Sequence, residues 1–244
     1  MARIGREFIK KTKYEYLDPS AQSRGRRQPP LELERYKGGE LIELPAPETL
    51  SIKDIDLRQA IERRTSVRRY SRIPLALEEL SFLLWCTQGI KKLIPGSATF
   101  RTVPSAGARH ALETYLLVNN VNTLKQGLYW YSALRHGLIL IDESDRLAER
   151  LVAACLGQRF VAQSGVTFIW TAASYRMTWR YSERSYRYFF LDVGHVCQNL
   201  YLAAEAIDCG VCAIAAFSDD AVDEFLQIDG EEQFSLYIAT TGKK

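Results

Sequence analysis

The sequence of 244 residues has no run of about eighteen apolar residues, so no segment is long enough to cross a bilayer as a helix. Its first residues, Met1 to Arg6, lack the apolar core of a secretory signal peptide. The formal net charge of +3 is too small to indicate nucleic-acid binding by itself. These absences predict a cytoplasmic protein that contacts neither a membrane nor a nucleic acid.

The sequence also lacks a disulfide framework and a pattern of metal ligands. Its five cysteines fit reduced thiols better than paired ones. Cys209 and Cys212 form a C-x-x-C with no second pair elsewhere, which argues against a zinc or redox site. His195 has no second ligand at i±3 or i±4 and is predicted to be a hydrogen-bonded helix residue, and His136 is predicted to lie on the surface in a turn. We therefore predict no metal site.

The first part of the chain has no sustained hydrophobic period. Met1 to Lys37 contain ten Lys and Arg against five Asp and Glu. A basic arm of this kind could bind a nucleic acid or an acidic partner, but the sequence has no recognisable binding module beside it. We therefore predict an extended arm over residues 1–50, anchored by Leu41 to Pro45, and a single domain over residues 51–244.

Hydrophobic periodicity predicts the helices and strands of that domain. Helical patterns cover residues 56–64, 77–88, 144–156, 189–207 and 219–226. Apolar or alternating runs predict strands over 114–118, 128–131, 138–141, 166–173, 211–217 and, near the end, 234–238. The run Val166 to Ala173 is apolar throughout, which predicts a central strand covered on both faces.

A basic cluster follows the first predicted helix. Residues 63–70 contain four arginines together with Thr65 and Ser66. Cations are favourable near the C-terminus of a helix, which accounts for Arg63 and Arg64 but not for Arg68 beyond it. Arginine forks with small hydroxyls and free backbone N–H groups suit a phosphate, and the alternative is a solvated basic turn.

Two later stretches carry further candidate residues. Small residues from Ser105 to Ala108 follow Pro104 and let the backbone approach a flat or anionic group closely, with an ordinary turn as the alternative. Between Tyr175 and Arg187, aromatic residues alternate with arginines. Such a stretch could stack on bases, or it could cover a bound aromatic group and receive a substrate.

Four segments in this order resemble motifs of the nitroreductase superfamily. Residues 64–70 resemble its Arg-Arg-Ser-x-Arg-x-aromatic signature. Residues 104–113 resemble the Pro-Ser-Ala-Gly-x-x-x-x-Leu-Glu motif of its SagB-type branch, the azoline-oxidising enzymes of peptide maturation. Residues 213–217 resemble its Pro-Ile-Glu-Gly-Phe-like segment with two alanines in place of Glu-Gly, and Gly242–Lys243 resembles a Gly-Lys/Arg pair near the end.

This resemblance implies a set of FMN-binding residues. The phosphate and ring edge would be held by Arg64, Thr65, Ser66 and Arg68, with Lys243 and Lys244 returning to the phosphate. The backbone amides of Ala215 and Ala216 would face the N5 edge. The loop that would pack against the flavin from the partner subunit consists of Pro104, Ser105, Ala106 and Gly107.

The resemblance also implies a catalytic pair. Azoline-oxidising relatives have a Lys-Tyr pair in the region that aligns here with Arg180 and Tyr181. Arginine keeps its proton, with a pKa above about 12, so Arg180 is not a general base as lysine could be. This difference argues against azoline oxidation as the native reaction.

The overall prediction is an α+β, nitroreductase-like fold, with a mostly antiparallel central sheet flanked by helices, in an interwoven homodimer. The predicted cofactor is FMN rather than FAD, because the sequence has no G-x-G-x-x-G pyrophosphate turn. The predicted activity is two-electron transfer through flavin N5, with NAD(P)H and a small-molecule or peptide substrate. A peptide azoline dehydrogenase, a non-catalytic flavin-binding protein and a basic nucleic-acid-binding protein are the alternatives.

Overall fold

Antiparallel strands form the centre of the fold in the computed structural model, which describes residues 3–33, 36 and 38–244. In chain order the strands are β1 (Leu41–Glu43), β2 (Ile90–Ile94), β3 (Ala98–Arg101), β4 (Leu112–Val118), β5 (Gly127–Ser132), β6 (Gly137–Asp142), β7 (Val166–Ala173), β8 (Cys209–Ile214) and β9 (Gln233–Lys243). Seven of them make one sheet in the order β1-β6-β5-β4-β7-β9-β8, and β2 and β3 form a separate hairpin.

Helices cover both faces of this sheet. They are α1 (Ile4–Lys11), α2 (Leu57–Arg63), α3 (Leu77–Gln88), α4 (Leu147–Ala154), α5 (Phe160–Gln163), α6 (Ser174–Tyr181), α7 (Ser185–Glu205) and α8 (Asp219–Leu226). Side chains of α3 and α7 share one apolar core with alternate residues of the sheet, such as Phe168 and Trp170. Side chains of α4 and α8 share the opposite core with residues such as Ile169. The predicted antiparallel sheet flanked by helices is therefore confirmed.

Three elements have the predicted limits. The bounds of α3, β7 and α8 agree with the hydrophobic pattern at both ends. The strand β7 lies between β4 and β9, and its residues from Val166 to Ala172 are buried, which confirms a central strand covered on both faces. Long, strongly periodic segments of this kind depend least on distant contacts for their limits.

Other limits differ from the prediction. The strand β8 ends at Ile214 instead of residue 217, because the chain is drawn to the end of α4, where Ser218 N donates to Ala154 O (2.8 Å). The helix α4 is shorter than 144–156 because Arg146, with a φ of +66°, has non-helical backbone. The helix α7 starts at Ser185 rather than Phe189, and the β2–β3 hairpin, α5 and α6 were not predicted. The arm is not extended throughout, because its first part forms the helix α1.

Two histidine predictions were wrong. His136 is not a simple surface residue, because its ring nitrogens lie 2.8 Å from the hydroxyls of Ser81 and Tyr131. His195 is exposed on α7 and has no hydrogen-bond partner among the described residues, so it is not the hydrogen-bonded helix residue that the pattern predicted. Among the described residues, no group of three or more His, Cys, Asp or Glu side chains is arranged to hold a metal ion.

The N-terminal arm is attached to the same region that carries the aromatic and arginine side chains. Trp179 O accepts from Gln22 N (2.7 Å), and Trp179 Nε1 donates to Arg26 O (2.9 Å). Arg184 donates to Thr12 O (2.8 Å). Further along, β1 pairs with β6 at the edge of the sheet. The arm therefore forms hydrogen bonds with part of the stretch between 175 and 187. The domain boundary at residue 50 stays a prediction.

Within the described ranges, none of the helices combines the length and the apolar character needed to cross a membrane.

Candidate active site

The basic cluster is fixed against the edge strand of the sheet. The backbone of Val67 donates to Val211 O of β8 (2.8 Å), and Ser66 forms a parallel bridge with Val211. This close approach requires a glycine in β8, because a Cβ on Gly210 would lie 2.5 Å from Val67 Cβ. The chain beyond α2 therefore lies beside β8 with its polar side chains outward.

Tyr201 of α7 joins the cluster to β8, and the sequence prediction missed it. Its hydroxyl lies 3.1 Å from Ser66 Oγ and accepts a hydrogen bond from Ala213 N (2.9 Å). The Arg64 guanidinium lies 5.3 Å from the centre of its ring, within the range of a cation–π contact. Tyr201 falls within the long helical period, where nothing local distinguishes it from a core residue.

Arg68 remains available to an anion. Its side chain is exposed and forms no ion pair with any carboxylate in the described part of the chain. Its charge reaches β8, because burial raises the pKa of the Cys212 thiol while the nearby Arg68 guanidinium opposes that rise. Arg68 therefore presents positive charge along the same edge as Ser66.

Ala215 and Ala216 lie at the other end of β8. Ala215 follows Val211, the partner of Ser66, by four positions, which corresponds to about 13 Å along a strand. Both residues are exposed, and neither amide has a hydrogen-bond partner among the residues described. Gln158 Nε2 donates to Ala216 O (2.8 Å) and fixes this segment. Hydrogen-bond donors therefore stand at both ends of β8.

The Pro104–Gly107 loop contacts the predicted catalytic pair. Gly107 has a φ of +56°, and a Cβ on it would overlap the Tyr181 hydroxyl and lie 3.1 Å from Arg180 Nε. Ala108, His110 and Ser182 also have positive φ values, of 52°, 43° and 49°. Strained backbone of this kind persists only where the surrounding structure holds it, and it is concentrated at functional sites. The structure thus brings together two segments that are far apart in the sequence.

A buried carboxylate lies under this loop. Asp192 of α7 is 5% exposed, and its Oδ1 accepts a hydrogen bond from Ala106 N (3.3 Å). Its Oδ2 has no partner among the described residues. Burial raises the pKa of Asp192, although the Ser105 side chain and the Ala106 amide oppose the rise. Asp192 was not predicted as a site residue, and it lies about 13 Å along α7 from Tyr201.

The lysines at the end of β9 are already paired. Lys243 Nζ forms an ion pair with Glu79 of α3 and also donates to Ile207 O (2.7 Å). Lys244 Nζ forms an ion pair with Glu205 of α7 (2.6 Å). A phosphate contact from either lysine requires these pairs to open, so the role that the resemblance implies for Lys243 and Lys244 stays a prediction.

Comparison with known proteins identifies the family. The profile of the nitroreductase family matches residues 61–243. A protein of Methanocaldococcus jannaschii named as a nitroreductase is 35% identical over 207 residues, which make up 84% of this chain and 98% of that protein. The trifolitoxin-processing protein TfxB of Rhizobium leguminosarum is 29% identical over 147 residues, which make up 59% of this chain and 39% of TfxB.

Solved structures share the fold. A protein of Anabaena variabilis described as a nitroreductase has a TM-score of 0.70 and 28% identity, covering 86% of this chain and 43% of that protein. The E. coli microcin synthetase McbBCD complex, with truncated pro-MccB17 bound, has a TM-score of 0.62 and 20% identity, covering 99% and 92%. A protein of Desulfovibrio desulfuricans in complex with FMN has a TM-score of 0.54 and 16% identity, covering 78% and 86%.

The chain is an enzyme of the nitroreductase family. This confirms the resemblance that the arginine motif indicated. TfxB is a further sequence match, and the McbBCD complex shares the fold. The chain spans less than half the length of TfxB and of the Anabaena protein, at 39% and 43%.

Substitution of Gly107 tests the contact between the loop and the predicted catalytic pair. Gly107→Ala and Gly157→Ala should each destabilise the protein by about 1–2 kcal/mol, because both glycines have positive φ. Only Gly107→Ala should also lower turnover, by about ten-fold, since its methyl group displaces Tyr181. Urea denaturation and turnover assays measure the two effects. Equal turnover in the two variants would contradict the contact.

Substitution of Asp192 tests its burial as a charge. A raised pKa means that its contribution to stability is complete below the unfolded value and is lost as the pH rises through the folded value. Asp192→Asn removes this loss, so the free energy of unfolding of the variant should rise relative to that of wild type as the pH increases from 4 to 7.5. The exposed Asp54→Asn is the control in urea denaturation at both pH values. If the free energies of unfolding of Asp192→Asn and wild type differ by the same amount at both pH values, the charge on Asp192 does not destabilise the folded protein.

Proposed function

We propose that this protein is an FMN-dependent oxidoreductase that transfers two electrons between NAD(P)H and a small-molecule or peptide substrate. The proposal rests on one observation in a chain of the nitroreductase family: hydrogen-bond donors lie at both ends of β8, with the basic cluster at one end and the Ala215 and Ala216 amides at the other. FMN has its phosphate and its flavin ring at opposite ends of a ribityl chain. The residues therefore fit both ends of that molecule.

The phosphate end is proposed at the basic cluster. Arg64 and Arg68 supply charge, Ser66 supplies a hydroxyl, and Thr65 adds a second exposed hydroxyl. Charge-assisted hydrogen bonds of this kind are the strong ones for an anion. The proposed ring end is at Ala215 and Ala216, whose free amides can donate to the edge of a ring without any side chain. FMN, when bound there, supplies a ring that takes up and returns a hydride.

The proposed substrate side contains the Pro104–Gly107 loop and the Arg180–Tyr181 pair. The Arg180 guanidinium orients an electron-rich group, whereas the Tyr181 hydroxyl next to Gly107 is able to donate or accept a hydrogen bond. Asp192 positions the loop through the Ala106 amide. The role of the protein is to hold the reacting groups in place and keep the strained loop in one conformation.

We propose a homodimer whose sites are shared. Apolar side chains that are more than half exposed in the single chain suit a second copy: Leu57 and Ile61 on α2, Phe190 and Leu191 on α7. Light scattering measures the mass of the assembly and so tests whether the protein is a dimer.

Co-refolding tests whether the sites are shared. An Arg64→Ala/Arg68→Ala variant refolded with a Ser105→Phe/Gly107→Val variant should restore about a quarter of the wild-type sites, because about half of the dimers are mixed and each has one intact site. Mixed dimers without flavin or activity would rule out the sharing.

A second candidate function is peptide azoline dehydrogenase, favoured by similarity to TfxB and to the fold of the McbBCD complex. In that reaction a thiazoline or oxazoline ring loses a hydride and a proton to become aromatic; a bound flavin would supply the hydride acceptor, and solvent would take the proton. The arginine at position 180 distinguishes this chain from the Lys-Tyr pair of such enzymes. A flavin-binding protein without turnover is the third candidate.

The visible absorption spectrum of the purified protein tests the proposal. We expect flavin bands, release of FMN rather than FAD by acid, and bleaching by NADH or NADPH without oxygen. Bleaching by a thiazoline peptide alone would instead assign the azoline dehydrogenase. Bleaching by none of the three would assign the non-catalytic candidate, and a colourless protein that takes up no FMN would exclude the cofactor.

A further inference from the structure

The N-terminal arm contacts the chain on both sides of the predicted catalytic pair. Directly before Arg180 and Tyr181, the backbone of residues 22 and 26 bonds to Trp179. Directly after the pair, residues 9, 12 and 14 contact the side chains of residues 184, 187 and 188. The nitroreductase profile matches residues 61–243, so the arm lies outside the matched region. These contacts are therefore a feature of this chain that the family profile does not describe.

Two arginines at the start of α7 bond to the end of α1. The last carbonyl groups of a helix have no partner within it, and cations are favourable there. Arg184 donates to Thr12 O (2.8 Å), and Arg187 donates to Thr12 Oγ1 (2.6 Å) and to Ile9 O. None of the eight residues of α1 is buried, and so short a helix is marginal without other support. The position of α1 therefore depends on these two arginines more than on an apolar core.

Arg184 also joins two tyrosines. Its guanidinium lies 4.3 Å from the centre of the Tyr14 ring, and its Nε donates to the Tyr188 hydroxyl (2.9 Å). The hydroxyls of Tyr14 and Tyr188 are 3.1 Å apart. Cation–π contacts and hydrogen bonds to a charged donor are both favourable at a partly exposed site. Tyr14, Arg184 and Tyr188 thus form one cluster that links the arm to α7.

Tyr188 extends this link to the predicted catalytic pair. Its ring meets the ring of Tyr181 edge to face, at 86° with the centroids 5.1 Å apart. This is one of the preferred arrangements of two aromatic rings. The Tyr181 hydroxyl is in turn next to Gly107, where a Cβ would overlap it. Two rings, those of Tyr188 and Tyr181, therefore connect Tyr14 of the arm to the Pro104–Gly107 loop.

The turn between α6 and α7 needs such support. Ser182 directly follows the pair and has a φ of +49° and a ψ of −143°, angles that a residue with a side chain rarely adopts. A conformation of this kind persists only where the surrounding structure holds it. The contacts of the arm at Trp179 and at Arg184 lie within three residues of Ser182 on either side. The arm therefore holds the backbone that carries Arg180 and Tyr181 from both directions.

We propose that the arm keeps Tyr181 in position against the Pro104–Gly107 loop, and that Arg184 and Tyr188 are the positioning residues through which it acts. Both residues act on the substrate side through Tyr181. The effect on turnover rests on the proposed function, which assigns Tyr181 to the substrate side. The effect of the arm on the position of Tyr181 does not require a flavin.

Hydrogen exchange in two arm variants tests the proposal. Tyr14 and Tyr16 are both exposed, at 69% and 51%, but the ring of Tyr16 faces Lys10 of the arm itself (5.8 Å). Amide exchange in the full-length protein, followed by mass spectrometry, should become about two-fold to five-fold faster at residues 178–184 in Tyr14→Ala. Tyr16→Ala is the matched control and should leave these amides at the wild-type rate. Arg184→Lys keeps the charge but loses the planar fork, and it should give the same faster exchange as Tyr14→Ala.

Two substitutions of Tyr188 separate positioning from general stability. Tyr188→Leu removes the ring that meets Tyr181, whereas Tyr188→Phe keeps that ring and loses only the hydroxyl. With NADH or NADPH and p-nitrobenzamide as the probe, kcat should fall by about five-fold to ten-fold in Tyr188→Leu. The KM for the probe and the FMN content should stay at the wild-type values. Tyr188→Phe should recover most of the lost kcat.

Each result decides a different part of the proposal. Equal exchange at residues 178–184 in Tyr14→Ala and Tyr16→Ala would overturn it, even if α1 itself exchanges faster, because the arm would then be attached without holding the pair. Equal kcat values in Tyr188→Leu and wild type would also overturn it. A yellow protein without the Tyr14 effect refutes the role of the arm alone. A colourless protein that takes up no FMN and still shows the Tyr14 effect refutes the proposed function and keeps the role of the arm.

Discussion

Replacing Arg68 with alanine is expected to weaken FMN binding by about ten-fold to a hundred-fold. A charge-assisted contact contributes roughly 1.5–3 kcal/mol, and each 1.4 kcal/mol is about a factor of ten in affinity. Arg68 is exposed and forms no ion pair within the described residues, so the substitution removes charge without breaking an internal contact. Quenching of flavin fluorescence during titration with FMN, at moderate salt, measures the change.

Arg69→Ala is the matched control for this experiment. Arg69 is the next residue and has the same charge, but it lines a separate cleft with Ser71 and Asn120, whereas Arg68 lies near Cys212 of β8. The change in long-range attraction is the same in both variants, so only a local contact separates them. Equal losses of FMN affinity in the two variants would show that Arg68 makes no local contact with FMN and belongs to a solvated basic turn.

Replacing Glu113 with alanine is expected to lower the free energy of unfolding by about 3–5 kcal/mol, because it leaves Arg176 buried without its partner. The two side chains are 4% and 3% exposed, and Arg176 Nη2 lies 2.5 Å from Glu113 Oε1. Glu113 also accepts from Trp130 Nε1 (2.9 Å) and, in the arm, from Leu33 N (3.3 Å). Urea denaturation measures the loss, and trypsin should cut the arm near Arg26 faster.

The control is an Arg–Glu pair of similar geometry on the surface. Arg58 and Glu62 lie 2.8 Å apart on α2, with 85% and 59% of their side chains exposed. Glu62→Ala should cost only about 0.3–0.5 kcal/mol, since exposed i,i+4 pairs contribute little. Similar losses for Glu62→Ala and Glu113→Ala would show that burial does not distinguish the two pairs.

Local pattern determined much of the architecture and the identity of the motifs. The spacing of apolar residues set the limits of α3, α8 and β7. Each of these elements buries its apolar residues in a core, and these residues recur along its whole length. The arginine motif at 64–70 and the Pro104–Gly107 loop pointed to the family, which the comparisons bear out. Hydrophobic spacing and motif residues are properties of neighbours in the chain, so a sequence expresses them directly.

The arrangement of the candidate site was decided only by the tertiary structure. Tyr201 meets Ser66 across 135 residues, and Arg176 meets Glu113 across 63. The turn of the chain beyond Ile214 depends on Gln158 and on the end of α4. The close approach of Gly107 to Tyr181 depends on the packing of a strained loop against α6. Such contacts join side chains whose neighbours in the chain are unrelated, so no periodicity or spacing encodes them; they form only when the sheet and helices bring those segments together.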